Sequence, residues 1–159
     1  MAISWQLHGL DASHFAHLFD LEDAALAAHG AVRRTAPSTP GFPCRISLED
    51  APAGEDLLLL HFEHHPADSP YRAAGPIYVR CHATRRVLPP GEVPPYVTSR
   101  LISVRAYDAA GFMVDGAVCE GTAVAPELDR VFADESVAYV HLHNAKRGCY
   151  SCKVVRAAV

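Results

Sequence analysis

The sequence predicts an α+β protein built on a mostly antiparallel β-sheet, with a few short helices packed on it. Segments with strand character outnumber helical ones, and the helices do not alternate regularly with strands as in a doubly wound fold. The clearest antiparallel pair is a hairpin over residues 101–107 and 112–119, whose link Asp108-Ala-Ala-Gly111 carries the aspartate and glycine of a type I turn. With 159 residues, no internal repeat and no linker-like segment, the chain is expected to form a single domain over residues 1–159.

The N-terminal half is predicted to hold two short helices between its strands. Asp11 and Asp20 are of a type that caps helices, and Gly30 is of the type that most often ends them. An apolar run over 57–62 indicates a buried strand, whereas two prolines and a glycine indicate an ordered loop over 64–75. The predicted elements are a strand at 3–8, helices at 11–19 and 21–28, and strands at 57–62 and 76–81.

The C-terminal half is predicted to contain the hairpin, one amphipathic helix and two closing strands. Pro126 suits the first position of the helix, and Leu128, Val131 and Phe132 have the spacing of its buried stripe. The predicted elements are a helical turn at 95–99, the hairpin strands, the helix from residue 126, and strands at 137–143 and 150–156, the last two joined by a turn through Gly148.

Composition excludes several classes of partner. A formal net charge of −4 gives no electrostatic attraction for nucleic acid or for an anionic membrane. The longest apolar run, 57–60, is far shorter than the roughly 20 residues of a membrane helix, and the first residues show no secretory signal. We therefore expect a cytoplasmic protein with reduced thiols, whose partner is a small molecule or a metal ion; the sequence leaves the oligomeric state open.

The densest chemistry lies in residues 139–152, Tyr-Val-His-Leu-His-Asn-Ala-Lys-Arg-Gly-Cys-Tyr-Ser-Cys. In an extended strand, His141 and His143 project from one face about 6.6 Å apart, because side chains alternate with a rise of ~3.3 Å per residue. Val140 and Leu142 then point into the core. The segment is thus predicted to be a site carried on a core strand.

Metal binding is one interpretation of this segment. His141 and His143 could join the thiolates of Cys149 or Cys44 around zinc or iron, since imidazole and thiolate are ligands that both metals accept. No second pair of closely spaced cysteines or histidines completes a zinc motif. The alternative is two histidines on a polar, half-exposed strand face.

Thiol chemistry is a second interpretation. Cys149 with His143 as base and Asn144 as orienting group would form a nucleophilic set, although Asn144 faces away from His143 in a regular strand. Cys149 and Cys152 also form a C-x-x-C pair. The residues after Cys152 indicate a strand, however, so the helix N-terminus that lowers a thiol pKa in redox-active pairs is missing.

Anion binding is a third interpretation. Asp68, Tyr71 and Arg72 lie in the proline-rich loop, and Arg105 lies on a predicted strand face where a lone solvated arginine is not expected. A guanidinium fork there would hold a carboxylate or phosphate. The alternative is an ion pair, with Asp68, Asp108 or Asp115 as the available partner, or a hydrogen-bond network that locks the loop to the sheet.

Four motifs together resemble the bacterial domain-of-unknown-function 1203 family. They are GFPCR at 41–45, PADSPYRAAGPIYVR at 66–80, RLISVRAYDAAGFMVDG at 100–116 and YVHLHNAKRGCYSCKV at 139–154. The resemblance implies that the motifs belong together in one small domain, and it implies no activity, substrate or cofactor.

The function expected from the residues is therefore binding of a metal ion or a small anionic ligand. The pocket is predicted where the loop 64–72, Cys44 and the segment 141–152 converge. A metal- or cysteine-dependent hydrolase or transferase that uses His141, His143 and Cys149 is the enzymatic alternative. A structural or partner-binding protein is the third possibility.

Overall fold

The computed structural model describes residues 4–38 and 41–158, and these form two five-stranded sheets. The elements are β1 (Trp5–His8), α1 (Asp23–Ala28), β2 (Val32–Thr35), β3 (Pro43–Cys44), β4 (Glu49–Asp50), β5 (Asp56–His65), β6 (Ala73–Arg80), α2 (Pro95–Thr98), β7 (Leu101–Tyr107), β8 (Met113–Glu120), α3 (Val124–Phe132), β9 (Tyr139–Asn144) and β10 (Tyr150–Arg156). The predicted α+β class is confirmed, with the strands divided between two sheets.

The first sheet has the order β1-β10-β9-β7-β8 and is antiparallel throughout. The second has the order β2-β5-β6-β3-β4, and its strands are antiparallel except for the short β3–β6 pair. No helix in the described part of the chain is long and apolar enough to cross a membrane.

Each sheet has its own apolar core. In the first, α3 packs Leu128, Val131 and Phe132 against the sheet, as the predicted stripe requires. In the second, the N-terminal residues Phe15, Leu18 and Leu26 cover β5 and β6, and Tyr150 of β10 joins them there. Because Tyr150 belongs to the first sheet, it marks a place where the two sheets meet.

Several predicted boundaries differ from the structure for local reasons. The predicted helix 11–19 is two short 3₁₀ turns, Ala12–His14 and Ala16–Leu18, the first capped by Asp11 as expected. The next helix has Glu22 rather than Asp20 at its N-cap. The helix α3 begins at Val124, so Pro126 is its third residue rather than its first. Proline is tolerated there because the first four N–H groups of a helix have no acceptor within the helix.

The predicted loop 64–75 is shorter than expected, because β5 continues to His65 and β6 begins at Ala73. The pairing register of β5 with β6 shifts between Phe62 and His65, which marks a β-bulge. A bulge lets a strand absorb an extra residue and re-aims the side chains around it. His64 and His65 consequently lie on a strand, next to the first sheet.

We predict that Gly121→Ala lowers the free energy of unfolding by about 1–3 kcal/mol, the usual cost of overpacking. A Cβ atom at residue 121 would collide with the backbone carbonyl of Val97, and backbone atoms do not move aside cheaply. Gly75→Ala is the matched control, since a Cβ at that strand position meets no atom within 4 Å. Urea denaturation of both variants checks this; equal stability of the two would contradict it.

Candidate functional site

A cluster of histidine and tyrosine rings lies where β5 of the second sheet meets the first sheet. Its described members, called here the histidine–tyrosine cluster, are His64, His65, Tyr107, Tyr139, His141, His143 and Tyr150. Strand alternation and register assemble the part on the first sheet: β7 pairs with β9 so that Tyr107 opposes Tyr139, and β9 pairs with β10 so that His143 opposes Tyr150. The ring centroids of His141 and His143 are 6.4 Å apart.

The bulge in β5 explains how two adjacent histidines reach the same cluster. On a regular strand, His64 and His65 would point to opposite faces. Here the His64 centroid lies 5.0 Å from that of His143, and the His65 centroid lies 5.3 Å from that of His141. His64 also stacks on Tyr150, and His65 packs on Tyr107. The predicted convergence of residues 64–72 with residues 141–152 assumed a loop, and the bulge that brings both histidines to the cluster was not predicted.

The hydrogen bonds of the cluster set its tautomers. Nδ1 of His143 lies 2.9 Å from the carbonyl oxygen of Gly148, which can only accept, so Nδ1 carries the proton and Nε2 is bare. That Nε2 atom is buried and has no hydrogen-bond partner among the described residues. The same holds for Nδ1 of His64 and Nδ1 of His141. The cluster therefore presents three imidazole nitrogens with unused hydrogen-bonding capacity.

These histidines are neutral at neutral pH. Burial lowers the pKa of His143 to about 4 and that of His64 to about 4, and nearby Arg105 contributes in both cases. Burial and the neighbouring histidines lower the pKa of His141 to about 2. His141 and His143 are 3% and 1% exposed, so the interpretation as a half-exposed pair does not describe them.

The predicted zinc or iron site gains no support from this geometry. Within residues 4–38 and 41–158, no group of three or more histidine, cysteine, aspartate or glutamate side chains is placed to hold a metal ion. Cys44 is fully buried, and its sulfur accepts hydrogen bonds from the backbone N–H groups of Arg80 and Ser47. That thiol is part of the second core rather than of a ligand set.

The two cysteines of the C-x-x-C pair lie in different surroundings, one in the first core and one at a cavity. The five cysteines, all in the described part of the chain, are free thiols. Cys152 is buried in the first core, and burial raises its pKa to about 12, which disfavours a thiolate. Cys149 is half-buried and lines a cavity with Asn144, and its backbone carbonyl accepts a 2.9 Å hydrogen bond from the Asn144 N–H. No hydrogen bond among the described residues joins its thiol to the side chain of Asn144 or His143.

The predicted loop residues do not gather around one ligand position. Arg72 is exposed and pairs with Glu63 at 3.1 Å, and the exposed Asp68 lies at the rim of a cavity. The Tyr71 side chain is 40% exposed, while its backbone carbonyl reaches inward to Nδ1 of His65 at 2.8 Å. The loop thus contributes to the site through a backbone atom, which side-chain patterns do not reveal.

Arg105 makes a side-chain hydrogen bond but no ion pair in the described part of the chain. Its Nε donates to Ser103 Oγ at 3.2 Å, and no carboxylate of the described residues lies within 4.0 Å of its guanidinium. Asp115 pairs instead with Arg130, and Asp108 caps the hairpin turn through the N–H groups of residues 110 and 112.

Arg45 is the residue that the sequence analysis overlooked. Its side chain is 3% exposed, with Nε 2.8 Å from the carbonyl of Tyr150 and Nη1 2.6 Å from the carbonyl of Pro43. No carboxylate of the described residues pairs with it. The sequence feature that could have indicated its burial is its position between Cys44 and Ile46, in a stretch that is otherwise suited to burial.

Two cavities with different linings flank this region. The first, of about 660 Å³, is lined by His64, His65, Tyr139, His141, Tyr150 and Lys153, together with the 66–68 and 109–111 segments and residues near the N-terminal turns. The second, of about 890 Å³, is lined on its polar side by Arg45, Arg100, Glu120, Asn144, Lys146, Arg147 and Cys149. The two linings share no residue.

The family relationship follows from a match over most of the chain. The family model described as "Protein of unknown function (DUF1203)" matches residues 41–156. The chain belongs to the DUF1203 family. Its matched region contains Arg45, Arg105 and all seven members of the histidine–tyrosine cluster. Neither a curated protein nor a solved structure matches this DUF1203 chain.

We predict that the free energy of unfolding falls as the pH is lowered from about 6.5 to about 4. Unfolded histidines have a pKa near 6.5 and bind protons in this range, whereas folded His64, His141 and His143 do not, because their pKa values are about 4, about 2 and about 4. Each such group lowers the free energy of unfolding by about 1.4 kcal/mol per pH unit, so the three together give a slope of roughly 3–4 kcal/mol per pH unit.

Urea unfolding measured at several pH values checks this slope. His141→Gln should reduce the slope by roughly a third, since it removes one of the three histidines whose pKa is about 4 or lower. His61→Gln is the control, because His61 is exposed and lies outside both cavities. A slope that is unchanged in His141→Gln would contradict the assignment.

Proposed function

We propose that this protein binds a small anionic ligand, one that bears a carboxylate or phosphate group, in the second cavity. The observation that carries the proposal is Arg45, a buried arginine that lines this cavity and has no carboxylate partner among the described residues. Two backbone carbonyls hold two of its nitrogens in place.

A buried charge without a counterion is costly, and proteins usually pair such a charge or avoid it. Arginine cannot escape this cost by losing its proton, because its pKa is too high. Carbonyl dipoles offset part of the cost at Nε and Nη1. An anion in the adjoining cavity would supply the missing counter-charge, and a planar guanidinium suits carboxylate and phosphate oxygens.

The charges around the cavity support the same ligand class. Among the described residues that line it, Arg45, Arg100, Lys146 and Arg147 are cationic and only Glu120 is anionic. Asp50, outside the lining, neutralises Arg100 through a close ion pair. The net charge of the remaining lining residues is positive, although the chain as a whole has a formal net charge of −4. The positive charge is therefore a local property of this cavity.

The cavity also suits a ligand larger than a bare inorganic ion. Its volume of about 890 Å³ lies in the range of sites for small organic molecules. Its apolar wall consists of Leu59, Pro76 and Ile77 together with the rings of Phe42 and Tyr78. These two rings are stacked with their centroids 4.7 Å apart. An organic anion would place its charged group at Arg45 and its apolar part against this wall.

The first test is calorimetric binding of inorganic phosphate, citrate and phenyl phosphate at millimolar concentration. We expect at least one of these anions to bind the wild-type protein. Arg45→Gln should weaken that binding about tenfold or more, equivalent to about 1.4 kcal/mol. Arg147→Gln should weaken it by about two- to threefold, because this side chain is exposed and screened by solvent.

Arg86→Gln is the control with the same change of charge. Arg86 is exposed and lies outside both cavities, so its replacement should leave the affinity unchanged. If Arg45→Gln does not fold, the comparison of Arg147→Gln with Arg86→Gln still tests the site. The proposal fails if none of the anions binds, or if both exposed variants weaken binding equally.

A further inference from the structure

The first cavity contains a hydrogen-bonded pair that the anion site does not use. Nδ1 of His65 lies 2.8 Å from the carbonyl oxygen of Tyr71, so Nδ1 must carry the ring proton in the neutral imidazole. Nε2 is then a bare acceptor, and it lies 2.6 Å from the hydroxyl oxygen of Tyr139. The phenol therefore donates its proton to a base whose tautomer is fixed by the backbone.

The surroundings of the pair leave the phenol oxygen available to a ligand. His65 is 2% exposed, whereas Tyr139 is half-buried, and both line the first cavity. Since its own proton is committed to His65, the Tyr139 oxygen is left with lone pairs that can accept a hydrogen bond. No second hydrogen bond to this oxygen occurs among the described residues.

The walls of the cavity indicate the shape of that ligand. Of the lining rings, His64 stacks on Tyr150 with centroids 5.2 Å apart. Tyr139 stacks on Tyr107, which lies behind it outside the lining, with centroids 5.3 Å apart. Flat rings of this kind favour a flat partner. The Lys153 ammonium lies 4.7 Å from the centroid of the Tyr139 ring, where it would stabilise a negative charge that develops nearby.

Tyr139 needs a base in order to act. Burial, with contributions from Tyr107 and Asp108, raises the pKa of this phenol above its ordinary value of 10.0. It stays protonated at neutral pH unless a neighbour accepts the proton as the reaction proceeds. Nε2 of His65 is the acceptor within hydrogen-bonding distance.

We propose that Tyr139 and His65 form a proton-transfer pair that acts on a small planar molecule bearing an acidic O–H or N–H group. The proton of the ligand passes to the Tyr139 oxygen as the Tyr139 proton passes to Nε2 of His65. The ligand becomes an anion next to Lys153, His65 becomes an imidazolium, and Tyr139 ends as a neutral phenol. Protonation of the product reverses the same two transfers.

The test uses an electrophile that reports on activation of a phenol oxygen. With benzenesulfonyl fluoride, the oxygen attacks sulfur, the O–S bond forms, the S–F bond breaks and fluoride leaves. The phenol proton goes to His65 and then to solvent. We expect mass spectrometry of the digested protein to show Tyr139 labelled on the order of tenfold faster than Tyr71, which is more modest than the 10²–10⁴-fold effect of a fully positioned general base.

Tyr71 is the internal control, because its side chain is 40% exposed and no hydrogen bond from its hydroxyl to a base occurs among the described residues. His65→Gln should lower the labelling of Tyr139 to the rate of Tyr71 and leave Tyr71 unchanged. Labelling of Tyr139 no faster than Tyr71 in the wild type, or equal rates in wild type and His65→Gln, would overturn the proposal.

A second measurement needs no variant. In the wild-type protein, ¹⁵N chemical shifts of the His65 ring should show a protonated Nδ1 and a bare Nε2. A proton on Nε2 in the neutral ring would remove the acceptor for the Tyr139 hydroxyl and would contradict the proposal. This result does not depend on whether His65→Gln folds. Neither experiment involves the second cavity, so its outcome is separate from that of anion binding.

Discussion

The contact between Arg45 and the carbonyl of Tyr150 determines how the two sheets meet. Arg45 follows β3 in the second sheet, and Tyr150 begins β10 in the first, where the β9–β10 register is shifted. Through this bond, the second sheet reaches a main-chain group that the shifted ladder leaves available. The Tyr150 ring packs into the second core, and its other neighbours are His64, His141 and His143. Both the anion cavity and the histidine–tyrosine cluster depend on this junction.

A junction of this kind is stable only if its polar groups are kept uncharged or paired. Buried His141 and His143 remain neutral, so they cost far less to bury than imidazolium ions would. Guanidinium groups have no such option, and Arg45 therefore stands apart from its neighbours. The same low-polarity surroundings would strengthen the attraction between Arg45 and an anion. The cost of burying Arg45 and its suitability for binding thus have one physical origin.

Local patterns predicted most of the fold and part of the site. Alternation places His141 and His143 on one face, and the turn Asp108–Gly111 closes its hairpin with a 3.0 Å hydrogen bond between these two residues. The two features that local patterns did not predict depend on tertiary structure. The bulge that brings His64 and His65 to the cluster arises from pairing with β6, and the burial of Arg45 arises from the approach of β10. Neither the bulge nor the burial of Arg45 produces a periodic pattern in the sequence, so the alternation of polar and apolar residues could not predict either one.

The family match begins at residue 41, and this boundary has a consequence for the sheets. Both β1 and β2 precede it, and within the described residues each is the outermost strand of its sheet, next to β10 and β5 respectively. They occupy backbone N–H and C=O groups that would otherwise lie open along two long strands. Exposed edges of that kind recruit strands from other chains. β1 and β2 replace these long edges with strands of only four residues each, and short edge strands are one way in which sheets limit edge-to-edge pairing.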